Sequence, residues 1–119
     1  MAQDRLEASA AAGPSGQVIT LSGEADLVSA AELSALISGQ LSAGTVELTI
    51  DASELRFADT ASIRELILAG RTLNERGGRL VLLHPQRPVA RILAILGADG
   101  MITVVTETRD EPEAEAGAG

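Results

Sequence analysis

Residues 45–83, TVELTIDASELRFADTASIRELILAGRTLNERGGRLVLL, hold one complete strand–helix–strand unit, and its reading decides the fold. Thr45 to Asp51 alternates polar and apolar residues, the period-two pattern of a strand with one buried face. Ser53 to Thr60 then reads as a loop. From Ala61 to Glu75 the period becomes helical, with Ile63, Leu66, Ile67, Gly70 and Leu73 on one side. Gly77-Gly78 stops this helix, and Arg76 stands near the negative end of its dipole. Arg79 to Leu83 is short and apolar at its centre, as expected of a strand buried on both faces.

Toward the N-terminus, residues 5–10 have the pattern of a weak strand before the turn signal Gly13-Pro14-Ser15-Gly16. Gln17 to Ser22 is a β-branched strand ended by Gly23, with Glu24-Ala25-Asp26 as a connecting loop. A helix is predicted from an N-cap at Ser29 to Leu41, burying Leu33, Leu36, Ile37 and Leu41, and Gly44 stops it. Toward the C-terminus, Pro88 suits the first turn of a helix running to Leu96 that turns Val89, Ile92, Leu93 and Leu96 inward. Met101 to Val105 is a last strand. The order is β-β-α-β-α-β-α-β, a single α/β domain with a mixed β-sheet covered by helices. Strands that alternate with helices imply parallel pairing after the first hairpin. The predicted core comprises Ile19, Leu21, Leu36, Ile37, Leu48, Ile50, Ile63, Leu66, Ile67, Leu80, Leu82, Ile92 and Leu93.

The 119 residues suffice for one core, and Phe57 is the chain's only aromatic, so that core is aliphatic. Residues 1–106 form the expected domain. From Glu107 to Gly119 five acids stand against Arg109, half of the net charge of −8, with no large apolar residue; this tail is expected to be disordered. The acidity argues against nucleic-acid binding, which needs clustered Lys and Arg. All nine basic residues are Arg, which with the Ala and Gly content indicates GC-rich bacterial coding. No apolar run approaches the roughly 20 residues of a membrane span, and no signal peptide is evident. A cytoplasmic protein without membrane insertion is the expectation.

Several chemistries are excluded by inventory. There is no cysteine, hence no thiolate nucleophile and no Cys metal site. The single histidine, His84, at a strand end before Pro85, has a surface or packing role and cannot build a His triad or multi-His site. No phosphate-binding glycine motif is present. Neither an enzyme nor a cofactor is indicated. What remains is Phe57-Ala58-Asp59-Thr60-Ala61-Ser62-Ile63-Arg64, which leads into a helix start where free N–H groups favour negative charge. Its plain structural reading is that Asp59 or Thr60 serves as an N-cap.

Four segments, Leu21–Leu27, Asp51–Arg64, Gly77–Leu82 and Ile92–Gly97, together resemble the STAS domains of anti-sigma factor antagonists. Leu21-Ser22-Gly23-Glu24-Ala25-Asp26-Leu27 is similar to their Leu-x-Gly-Glu-Leu-Asp segment. Asp51 through Arg64 is similar to an Asp-rich strand end followed by Phe-x-Asp-Ser-Ser-Gly-Leu. Gly77-Gly78-Arg79-Leu80-Val81-Leu82 is similar to Gly-Gly-x-Leu-x-Leu, and Ile92-Leu93 to Gly97, with Asp99 beyond, is similar to the closing helix and turn. The segments fall in register over residues 5–106. The resemblance implies a STAS-like fold and a partner that is both an anti-sigma factor and a Ser/Thr protein kinase. Binding frees a sigma factor for transcription, and phosphorylation of the second hydroxyl in Asp-Ser-Ser-Gly releases the kinase.

At that position this chain has Ala61, which offers no oxygen. Thr60 precedes it and Ser62 replaces the glycine, so the phosphoacceptor candidates are Thr60 and Ser62, unless the switch has been lost. The resemblance also implies a partner-binding face of Asp26, Asp59, Thr60, Ser62 and Arg64. Two other roles fit the same resemblance. One is a soluble STAS subunit of an ABC-type lipid transporter, some of which carry Asp-Thr before two small residues. The other is a scaffold in a stress-sensing assembly. Whether the chain forms a dimer stays open.

Overall fold

The computed structural model describes residues 5–13, 16–98 and 100–106. The elements are β1 (Glu7–Ala12), β2 (Gln17–Ala25), α1 (Leu27–Ser42), β3 (Glu47–Ala58), α2 (Thr60–Glu75), β4 (Arg79–Leu83), α3 (Arg87–Ile95) and β5 (Thr103–Val105). The expected element order and the mixed sheet are both present. The tail at 107–119, with Pro14, Ser15 and Asp99 of the motifs above, lies outside the described residues.

The sheet has the order β1-β2-β3-β4-β5. β1 runs antiparallel to β2, and every other pairing is parallel. Ile19, Ile50 and Leu82 stand in one row across β2, β3 and β4, with Leu48 beside Leu80 in the next. All five are fully buried. Onto this side α1 delivers Leu33 and Ile37, α2 delivers Ile63, Leu66 and Leu73, and α3 delivers Val89 and Leu93. The reverse rows, such as Thr20, Asp51 and Leu83, are polar over β2 and β3, as period-two alternation requires.

Three expectations need correction. Ser53 to Thr60 is not a loop, because β3 continues to Ala58. Likewise Glu24 and Ala25 belong to β2, paired with Phe57 and Ala58. Register shifts after Thr20 and after Gly23 break the alternation, so buried residues on β3 fall at Ala52, Leu55 and Ala58. Finally, α1 starts before Ser29. Asp26 is its N-cap, taking a hydrogen bond from the Ser29 N–H at 3.0 Å, while the Ser29 hydroxyl accepts from the Asp26 N–H at 2.9 Å. This is a reciprocal capping box with serine in the Glu position.

The core list holds for ten residues. Leu36, Ile67 and Ile92 are only half-buried against the core. On α2 the inward stripe includes Ser62, Ala69 and Gly70, all small. At Gly70 the helix sits so close to the chain at Met101 that an added Cβ would strike the Met101 carbonyl. Gly77 has φ +82, the left-handed geometry of a helix stop, and Gly78 lies against the Val46 backbone. Arg76 acts on a neighbouring helix: its Nη1 donates to the Leu41 carbonyl at 2.7 Å, satisfying the C-terminal end of α1. His84 ends β4 in a left-handed conformation (φ 54), and its N–H donates to the Val105 carbonyl at 2.7 Å. No helix among the described residues is long and apolar enough to cross a membrane.

Candidate functional site

β4 pairs with β3 only as far as Asp51 and Leu83. Beyond that point β2 and β3 continue together as an arm, with α3 packed on β3. In this arm β3 keeps only β2 as a strand partner among the described residues, while β2 still pairs with β1 as far as Ser22 and bridges to Arg5 at Glu24. Gln86 fastens the entry to α3 by donating from Nε2 to the Ser53 carbonyl at 2.8 Å. The ladder ends at Ala25 opposite Ala58, and the Asp59 N–H adds one more bond to the Ala25 carbonyl at 2.9 Å. The next residue after each strand is a helix cap: Asp26 for α1 and Asp59 for α2. Two helix N-termini, each closed by a carboxylate, therefore stand side by side because their strands are neighbours in register.

The Asp59 carboxylate accepts from the Ser62 N–H at 2.9 Å, so the plain capping role is present whatever else the residue does. Ser62 itself is fully buried, and its hydroxyl points to the Asp26 carbonyl at 3.4 Å, tying the α2 start to the α1 cap. Thr60 is exposed, Ala61 half-buried and Arg64 exposed one turn further along α2. Asp26 is exposed and Asp59 half-buried. The five sequence-predicted partner residues thus converge on one end of the molecule, but only four present atoms to solvent. Ser62 is a strut beneath that surface, and an acceptor role for it would require the helix start to open.

Sequence reasoning missed Phe57 as a member of this surface. It stands on the arm opposite Glu24, three residues before Thr60, and is 42% exposed. Its signal was in plain sight, since a chain with one aromatic has little reason to leave it uncovered. No group of three His, Cys, Asp or Glu among the described residues is arranged to hold a metal ion. The arrangement offers a rigid, mixed surface: capped helix ends, one free hydroxyl, an arginine and an aromatic ring.

A family model described as "Mlab, STAS domain" matches residues 8–106. A comparison with curated protein sequences finds no match. Among solved structures, an anti-sigma factor antagonist from Mycobacterium paratuberculosis superposes with a TM-score of 0.76 at 21% identity, covering 87% of each chain. The anti-sigma factor antagonist SpoIIAA in its unphosphorylated form gives 0.70 at 22% identity, over 85% of this chain and 90% of that one. The Bacillus cell fate determinant SpoIIAA in its phosphorylated form gives 0.68 at 22% identity, over 85% and 93%. At these identities the likeness is one of fold.

Proposed function

The chain belongs to the STAS-domain family, and on that footing we propose that it is an anti-sigma factor antagonist whose switch is altered. The observation that carries the reading is the exposed, capped start of α2, where Thr60 is the free hydroxyl and Ala61 occupies the usual acceptor position. Docking centres on Asp26, Asp59, Thr60 and Arg64, with Phe57 as an apolar contact at its border. The partner is an anti-sigma factor of the Ser/Thr kinase type. Neighbours of the same fold include an antagonist in phosphorylated and unphosphorylated forms, which supports a phosphorylation switch in this fold.

Phosphate would add about −1.5 to −2 charges at neutral pH. Beside the Asp26 and Asp59 carboxylates such a charge opposes docking on an acidic or apolar partner. Thr60→Glu carries part of that charge and is expected to weaken binding to the cognate anti-sigma factor in calorimetry. Ala61→Ser restores the missing oxygen. Incubated with the cognate kinase and ATP, this variant is expected to gain phosphate while the wild type gains little. Strong labelling of wild type at Thr60 would replace the lost-switch version with a shifted acceptor. If no anti-sigma factor binds either protein, the antagonist role fails.

One observation favours a second reading. The matching family model is described as "Mlab, STAS domain", and Asp59-Thr60-Ala61 resembles the Asp-Thr-small pattern of transporter-associated STAS subunits. In that case the same face docks on an ATPase and no phosphate is involved. Co-purification from the native host separates the two: a kinase-type anti-sigma factor against an ATPase and permease.

A further inference from the structure

Further along α2, and sharing Arg64 with the face described above, a groove of about 340 Å³ lies between this helix and the end of α3, lined by Arg64, Ile67, Leu68, Arg71 and Leu96. Its floor is apolar. Leu68 is 51% exposed, and Ile95, beside Leu96 at the end of α3, is 69% exposed. Both charged residues on its walls are arginines in a chain of net charge −8. Neither Arg64 nor Arg71 has an ion-pair or hydrogen-bond partner among the described residues. A guanidinium beside exposed leucine that forms no ion pair among the described residues can take up a partner's carboxylate.

The spacing specifies what fits. Arg64, Ile67, Leu68 and Arg71 follow i, i+3, i+4, i+7, so the arginines sit two turns apart, about 10 Å along the axis, with the apolar pair between them. All four therefore lie on one stripe of α2, a guanidinium at each end of a short apolar patch, and a partner helix laid along that stripe can present one carboxylate to each. We infer that the α2–α3 groove docks an acidic amphipathic helix of a partner protein, with carboxylates two turns apart meeting Arg64 and Arg71 around a Leu/Ile seam. An anionic membrane has the same charge, but it would have to accept a molecule that is itself strongly acidic, through a concave surface.

Two synthetic amphipathic helices with one common leucine seam test this, one bordered by Glu and the other by Lys, titrated against the full chain by fluorescence anisotropy. The Glu peptide is expected to bind, more weakly as salt rises. Leu68→Asp and Arg71→Glu are each expected to lower its affinity by about tenfold or more. The double variant Arg64→Glu, Arg71→Glu is expected to prefer the Lys peptide. All of these are surface changes, and melting curves confirm that the variants fold. Equal binding of both peptides by wild type, or Glu-peptide binding indifferent to the variants, overturns the inference. So does co-sedimentation with phosphatidylglycerol vesicles, or a solution dimer, that Leu68→Asp abolishes, since the groove would then take a lipid surface or a second copy. Leu68 and Arg71 lie outside the face at the helix starts, so failure of every anti-sigma factor to bind there leaves the outcomes for their variants unaffected.

Discussion

Single residues near α2 act through placement as much as through type. Ser62 is chemically a phosphoacceptor, yet its hydroxyl is buried against the Asp26 carbonyl, whereas Thr60, two residues earlier, faces solvent. Gly70 is the sharper case. Exchanging glycine for alanine in a helix interior normally gains about 1 kcal/mol of propensity. Here the added methyl meets the Met101 carbonyl, and overpacking of that kind costs about 1–3 kcal/mol. Gly70→Ala is therefore expected to lower the urea midpoint with an unchanged slope; a more stable variant would show that α2 is not seated on that carbonyl. The sequence placed Gly70 on the inward side of its helix but gave no sign of the carbonyl, which comes from a turn some thirty residues later. Asp26 was legible as a surface candidate and not as a cap, because Ser29 is an equally good cap type and a box with serine at its far end has no distinctive spelling.

At the scale of elements, the consequential difference lies in β3. Its first half, Glu47 to Asp51, has the clean alternation of a half-buried strand and was readable. Its second half was not, because the register shifts put buried residues at Ala52, Leu55 and Ala58, with Leu55 between the charged Glu54 and Arg56. Irregular spacing with two alanines among the buried positions looks like a loop until the partner strand is seen. Leu55 separates the two descriptions. In a loop its truncation would cost little. As a side chain 1% exposed in the arm, Leu55→Ala is expected to cost about 2–5 kcal/mol, measured by chemical denaturation. A loss under about 0.5 kcal/mol, the range of surface changes, would return Ser53 to Thr60 to loop status.

For the molecule as a whole, element order and strand direction were readable because strands and helices alternate, which leaves few arrangements open. The adjacency of the two caps was not readable, since it depends on pairing between residues more than thirty apart in sequence. The described core runs from Leu6 to Ile102, so truncation after Thr106 removes half the net charge and no residue of that core. It is expected to move the melting temperature by less than about 4 °C, the shift that 1 kcal/mol makes in a domain of this size. A larger fall would mean that the tail packs on the domain. The arm formed by the ends of β2 and β3 carries one more implication, for the thermodynamics of association. Ordering a residue of backbone costs roughly 1–2 kcal/mol, and a site made of loops meets that cost whenever a partner arrives. Here both helix starts hang from hydrogen-bonded strands, and the last bond, Asp59 to Ala25, reaches into the site itself. The ordering was completed at folding, so a docking partner meets a finished surface and affinity follows the contacts made. A single charge placed at Thr60 would then act by changing the potential of that surface while its shape stays the same.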